Sequence, residues 1–242
     1  MANHNDRILR FHVADKVFHG LNAILWFALV ITGAIVYLCK PEAATGESLM
    51  AWHVGLGIVF TLNLVGYLLF APERFALMIN ACLIWDKNTI LWFRNFGGYP
   101  RRFFKIPFGP VEVTPQGRYN AGQRIAYGAL IFLNILLLAS GFALFALHQP
   151  QEVQGSAYRW ALCVHSGAFG LACLLLAAHI PMAFLSRPSL KAMLSLGKGF
   201  LTEQEAMKHA ALWVKEDLEI ERNAFANQSD QDQTIFREKR LN

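Results

Sequence analysis

The chain has 242 residues and a net charge of +5; 55% of its residues are hydrophobic and 16% are charged, against about 25% charged in average soluble domains. The deficit is uneven, with charge nearly absent from four long stretches and crowded between them. That pattern excludes an ordinary soluble domain and predicts an all-α integral membrane four-helix bundle with wet connecting segments.

The N-terminal stretch MANHNDRILRFHVADK is polar and has no apolar run of the kind a cleaved signal peptide carries. A first span runs from about Phe18 to Cys39 and closes at Lys40-Pro41, because proline cannot continue a helix. A second runs from about Met50 to Ala71 and stops at Pro72. Phe75 to Phe93 is apolar, but Asp86, Lys87 and Asn88 in its middle are too costly for a bilayer centre. It reads as an interfacial or cytoplasmic loop helix, with Trp85 and Trp92 dipping into the headgroups. A third span runs from about Ile125 to Leu147 and a fourth from about Trp160 to Leu185, with Pro181 kinking only its end. Each approaches or exceeds the roughly 20 residues that cross about 30 Å of hydrocarbon. From Phe200 to Arg222 the pattern is that of an amphipathic helix, with Thr202 and Glu205 at capping-box spacing. Residues 1–222 therefore read as one membrane domain, and 223–242 as a polar, disordered tail.

Lysine and arginine fix the expected orientation. Three lie in residues 1–17, eight in 72–124 and nine in 186–242, while the two short connections hold only Lys40 and Arg159. The positive-inside rule places both termini and the long middle loop in the cytoplasm. The basic balance is thereby explained without a nucleic-acid partner. The four cysteines, Cys39, Cys82, Cys163 and Cys173, form no CxxC pair and no CxxCH, and read as small core hydrophobes.

Of eight histidines, His19, His53, His165 and His179 lie inside the spans. With the N-terminus inside, His53 and His165 fall at an outer level and His19 and His179 at an inner one. His165 and His179 are 14 residues apart. That spacing puts them within ~40° of one helix face and ~21 Å apart along the axis. One helix can thus give one ligand to each of two haems stacked across the membrane. A haem iron with two imidazole ligands keeps no open position, which suits electron transfer. Zinc or copper fits less well, since the two pairs are isolated His₂ sets with no Asp or Glu in the spans to complete either. Gly33 lies 14 residues beyond His19 and would let a flat macrocycle approach; Gly55, Gly57, Gly141, Gly167 and Gly170 lie in the same spans. The plainer reading of these glycines is close helix packing.

Asn120, Gly122 and Gln123, at the cytoplasmic start of the third span, combine amide donors and acceptors with a residue lacking a side chain, as a quinone headgroup would need. The plainer reading is that Asn120 caps the helix and Gln123 faces the headgroups.

Together the histidine set, the segment RYNAGQR (Arg118 to Arg124), Thr32-Gly33 and the run VHSGAFG from Val164 resemble the dihaem cytochrome b (gamma) subunit of respiratory formate dehydrogenases, over roughly residues 7 to 220. The resemblance implies two haem b groups on His19, His53, His165 and His179. It also implies a quinone, menaquinone or ubiquinone, contacting Asn120, Gly122 and Gln123. It implies partners: an iron–sulfur (beta) subunit and a molybdenum- or tungsten-pterin catalytic (alpha) subunit on the outer face of a bacterial inner membrane. The subunit itself would not oxidise formate. The alternatives are a cytochrome b subunit of a hydrogenase or sulfur-compound reductase, and a haem-free membrane scaffold or transporter.

Overall fold

In the computed structural model, which describes residues 7–148 and 154–216, four helices are long and apolar enough to cross a membrane: Val13–Cys39, Ala43–Phe70, Ala121–Ala146 and Ser156–Leu185. In chain order the elements are β1 (Arg7–Phe11), α1 (Val13–Ala34), α2 (Ala43–Phe70), α3 (Pro72–Leu83), α4 (Lys87–Leu91), α5 (Tyr99–Phe104), α6 (Ala121–Ala146), α7 (Ser156–Leu185), α8 (Arg187–Leu194), β2 (Gly199–Thr202) and α9 (203–216). The fold is the expected all-α membrane bundle. A pairing of β1 with β2 is added, too short to leave a mark in the residue pattern. The expected tail 223–242, and the expected end of the last helix at Arg222, lie outside the described residues.

Every span starts earlier than its apolar stretch. α1 takes in Asp15 and Lys16, and α2 takes in Glu47, because a helix continues into water once its apolar part is anchored. The first span loosens into a π turn at Ile35–Cys39, and Lys40 then adopts left-handed backbone, φ 45°, before Pro41.

The chain divides into two units. The first holds residues 9–84 and 124–200. Its core takes one large side chain each from α1, α2 and α6 (Trp26, Phe60 and Leu133) and two small ones, Ala168 and Ala172, from α7. The alanines let the helices approach while the rings fill the space. Trp26 carries the one polar group of this core, and its indole N–H donates to Asn134 Oδ1 at 3.0 Å, as a buried indole requires. Ile24, Phe27, Leu62, Phe132 and Leu174 point outward and are exposed, as a lipid-facing surface demands. At the start of α1, Asp15 accepts from Arg74 Nη2 at 2.7 Å and from the Tyr67 hydroxyl at 2.8 Å. Tyr67 in turn stacks on Phe18. One carboxylate thus ties α1 to the end of α2 and to α3.

The second unit holds residues 7–8, 85–123 and 201–216 of the described chain. The helix expected over Phe75 to Phe93 is instead two helices, α3 and α4. Asp86, the residue that forbids a span here, breaks the helix by accepting from the Thr89 N–H and hydroxyl, both at 2.6 Å, and so starts a new one. Trp92 is not a headgroup anchor. It is buried among Phe93, Phe96 and Tyr99, because the loop folds on itself around it. Asn95 holds that loop by donating to the carbonyls of Pro110 and Glu112. The predicted capping box closes α9: Thr202 Oγ1 accepts from the Glu205 N–H and Glu205 accepts from the Thr202 N–H, both at 3.2 Å. Ala206, Ala210, Trp213 and Val214 form its buried stripe.

Replacing Arg74 with Ala leaves the half-buried Asp15 carboxylate with only its weaker partners. Hydrogen bonds to a charged group contribute about 1.5–3 kcal/mol, so thermal unfolding in detergent should fall by about 3–12 °C. An unchanged midpoint would show that solvent screens the pair.

Candidate functional site

His53 on α2 and His165 on α7 lie with ring centroids 6.2 Å apart and ring planes at 79°. Each imidazole is held from the neighbouring helix. Thr32 Oγ1 on α1 sits 2.9 Å from His53 Nδ1, and Ser140 Oγ on α6 sits 2.9 Å from His165 Nδ1. Both hydroxyls already donate their single proton to their own helix: Thr32 to the Ala28 carbonyl at 2.8 Å, Ser140 to that of Leu136 at 2.5 Å. With its proton on that carbonyl, each hydroxyl accepts from the ring, an arrangement that puts the ring proton on Nδ1 and leaves the Nε2 lone pair for a ligand.

The next residue on each of these helices is a glycine. A Cβ on Gly33 would stand 3.0 Å from His53 Cε1, and one on Gly141 would stand 3.4 Å from His165 Cε1. Gly33 thus makes room for an imidazole, where the sequence suggested room for a macrocycle. Gly55, Gly57, Gly167 and Gly170 face no heavy atom within 4 Å, so tight helix packing does not explain them.

The hairpin α1–α2 and the hairpin α6–α7 therefore repeat one device: a hydroxyl and a glycine on the first helix, then a histidine on the second. The repeat breaks at the other end of the spans. Thirteen residues before Thr32 stands His19, and thirteen before Ser140 stands Tyr127; fourteen beyond His165 stands His179, and fourteen beyond His53 stands Tyr67. Tyr127 sets its ring edge-on to His179, centroids 6.3 Å apart.

The donor set decides which group fits. Among the described residues no cluster of three or more His, Cys, Asp or Glu could hold a metal ion. A metal here would have two protein ligands and would need its remaining positions filled by a bound macrocycle. Metal–nitrogen bonds of about 2 Å, with ring centres about 1 Å further back, put two opposed imidazoles about 6 Å apart. His53 and His165 meet that spacing at 6.2 Å. The residues fit a haem held between them.

At the start of α6, Asn120 and Gln123 cap the helix reciprocally. Asn120 Oδ1 accepts from the Gln123 N–H at 2.9 Å, and Gln123 Oε1 accepts from the Asn120 N–H at 3.1 Å. Both side-chain oxygens are thus engaged, and what the Gln123 amide can still offer a ligand is its N–H donors. The space over Gly122 is occupied by Trp92, whose Cη2 would lie 3.0 Å from a Cβ there. Burial pushes the Tyr99 phenol upward, opposed by the Arg102 guanidinium and the Asn120 side chain. In the sequence Thr32 stands out only as part of a motif, and nothing there singles out Ser140, Tyr127 or the packing of Trp92 on Gly122. The hydroxyl–glycine step of Thr32-Gly33 recurs in later spans at Ser140-Gly141 and at Ser166-Gly167, so by itself it does not single out Ser140.

Residues 10–196 match the family described as prokaryotic cytochrome b561. The chain is 31% identical to the cytochrome b556(fdo) subunit of formate dehydrogenase from Escherichia coli strain K12 over 217 residues, covering 87% of this chain and 93% of that one. It is 24% identical to the formate dehydrogenase cytochrome b556 subunit of Haemophilus influenzae over 222 residues, covering 89% and 86%. It is 26% identical to the nitrate-inducible formate dehydrogenase cytochrome b556(Fdn) subunit of E. coli K12 over 131 residues, covering 54% and 56%.

Gly33→Val should push the His53 ring out of place, since even the first added carbon meets Cε1 at 3.0 Å. The expected result is loss or displacement of one b-type absorption band in the purified protein. Gly128→Ala, whose added carbon meets nothing within 4 Å, should leave the spectrum unchanged.

Proposed function

The chain belongs to the prokaryotic cytochrome b561 family, a membrane cytochrome with haem b as its cofactor, and from that premise we propose that it is the membrane anchor and electron-transfer subunit of a respiratory formate dehydrogenase. In this reading it passes electrons from a periplasmic iron–sulfur partner, across a bacterial inner membrane, to a quinone near the cytoplasmic side. The names of its relatives favour formate dehydrogenase over a hydrogenase or sulfur-compound reductase as the parent complex. The observation that carries the reading is the His53–His165 pair, with ring centroids 6.2 Å apart and a hydroxyl oxygen 2.9 Å from each Nδ1.

Bound haem supplies a one-electron carrier whose iron, ligated on both faces, offers no site for oxygen or substrate. The chain does the rest. His53 and His165 hold one haem at the outer level, and His19 and His179 hold a second at the inner level. The lysines and arginines of residues 72–124 and 186–242 keep the loop and both termini in the cytoplasm. A catalytic subunit with a molybdenum- or tungsten-pterin centre and its iron–sulfur partner would dock on the opposite side.

Pyridine haemochrome assay of the purified complex should give two haems per chain. His53→Ala or His165→Ala should remove one haem, and His19→Ala or His179→Ala the other. A haem content near zero in the native complex would overturn the reading.

Asn120, Gly122 and Gln123 form the proposed quinone site. A quinone carbonyl accepts hydrogen bonds, and the Gln123 amide retains N–H donors after capping the helix. Gln123→Glu keeps the capping oxygen and deletes those donors, while Gln123→Ala deletes both. Both variants should slow quinone reduction with the haems still reducible by the electron donor. Unchanged turnover in both would put the site elsewhere.

A further inference from the structure

We infer that Thr32 and Ser140 are matched positioning residues of the His53–His165 pair, their hydroxyls holding the two imidazole planes crossed; this rests on the reading of that pair as haem ligands. Three observations carry it. Each hydroxyl oxygen is 2.9 Å from the Nδ1 of its histidine. Each hydroxyl is itself fixed, because its proton goes to a carbonyl three or four residues back on its own helix: Ala28 or Leu29 for Thr32, Leu136 or Leu137 for Ser140. Finally, each ring rests beside the glycine that follows its hydroxyl, Gly33 or Gly141.

The hydroxyl oxygen at Nδ1 and the glycine beside Cε1 bear on the same edge of each ring and hold its rotation about the Cβ–Cγ bond. Two such devices on different helices set the planes at 79°. An imidazole interacts through its π orbital with the metal d orbital that lies perpendicular to its plane. Rings that cross near a right angle therefore act on two different d orbitals almost equally. Rings brought toward parallel act on one, and the two orbitals separate in energy. The crossing angle is a spectroscopic and redox setting, and Thr32 and Ser140 hold it. A ligand imidazole that loses a hydrogen-bond acceptor also becomes a poorer electron donor to the metal, which favours the reduced state.

The test uses the intact purified complex with Thr32→Val and Ser140→Ala, and with the conservative exchanges Thr32→Ser and Ser140→Thr. Haem content is measured first, then the low-temperature electron paramagnetic resonance spectrum and the midpoint potential of each haem. The expected result for Thr32→Val and Ser140→Ala is full haem content, a lower largest g value and a higher midpoint potential for one haem. That haem should be the one His53→Ala removes. The second haem, unchanged in the same sample, shows that the fold is intact. Thr32→Ser and Ser140→Thr should keep the native signal. Native g values and potentials in both Thr32→Val and Ser140→Ala, at full haem content, overturn the inference. Loss of haem that the conservative exchanges do not rescue also overturns it, as a packing role for the two residues. If His53→Ala and His165→Ala leave both haem signals in place, the ligand assignment has failed instead, whatever Thr32→Val does.

Discussion

A histidine inside hydrocarbon must have both ring nitrogens answered, because no water is present to do it. In this chain one nitrogen of His53 and one of His165 is answered by a hydroxyl from the next helix. The hydroxyl is itself bonded to its own backbone, so no polar atom in the chain of contacts is left over. Much of the membrane unit follows from that constraint. α1 must lie against α2, and α6 against α7, closely enough for a short hydroxyl side chain to reach an imidazole. The glycines after Thr32 and Ser140 make the approach possible. The other nitrogen of each ring is the one proposed to hold haem.

The core below serves the same end. Trp26 and Phe60 fill the space that Ala168 and Ala172 leave open, and the Trp26–Asn134 bond joins the first hairpin to the second near their middle. Asp15 joins α1 to α2 and α3 at the end of the spans. Packing in lipid gains little from burying apolar surface, since the lipid is apolar too. The few polar ties therefore carry much of the specificity with which four greasy helices find one arrangement.

Much of this was legible in the sequence, for reasons that differ by element. The spans were legible because a run of about 20 apolar residues suits little except a membrane crossing. The α9 cap was legible because Thr202 and Glu205 act within one turn. The membership of His53 and His165 in one pair was legible from depth alone, and depth follows from residue counting. What was hidden depends on contacts between segments distant in sequence. The burial of Trp92 depends on a loop that doubles back over Gly122. The break at Asp86 turns on whether one carboxylate caps a helix or faces water, and residue type does not decide between them. Ser140 is a common residue in a span, usually bonded to its own backbone, and only its neighbour across the gap gives it a further use.

The unequal ends of the two hairpins have an evolutionary meaning. A dimer of identical hairpins can present only identical ligands at related positions, so it can build a site like that of His53 and His165 from one gene. It cannot build a site from His19 and His179, because the related positions would then be histidines as well, four where two are wanted. In the joined chain those positions are Tyr127 and Tyr67, and the tyrosines have taken other work, one against His179 and one on Asp15. In one polypeptide each half can vary alone, so two unlike ends can be built where a symmetric pair of identical hairpins would have to repeat its own.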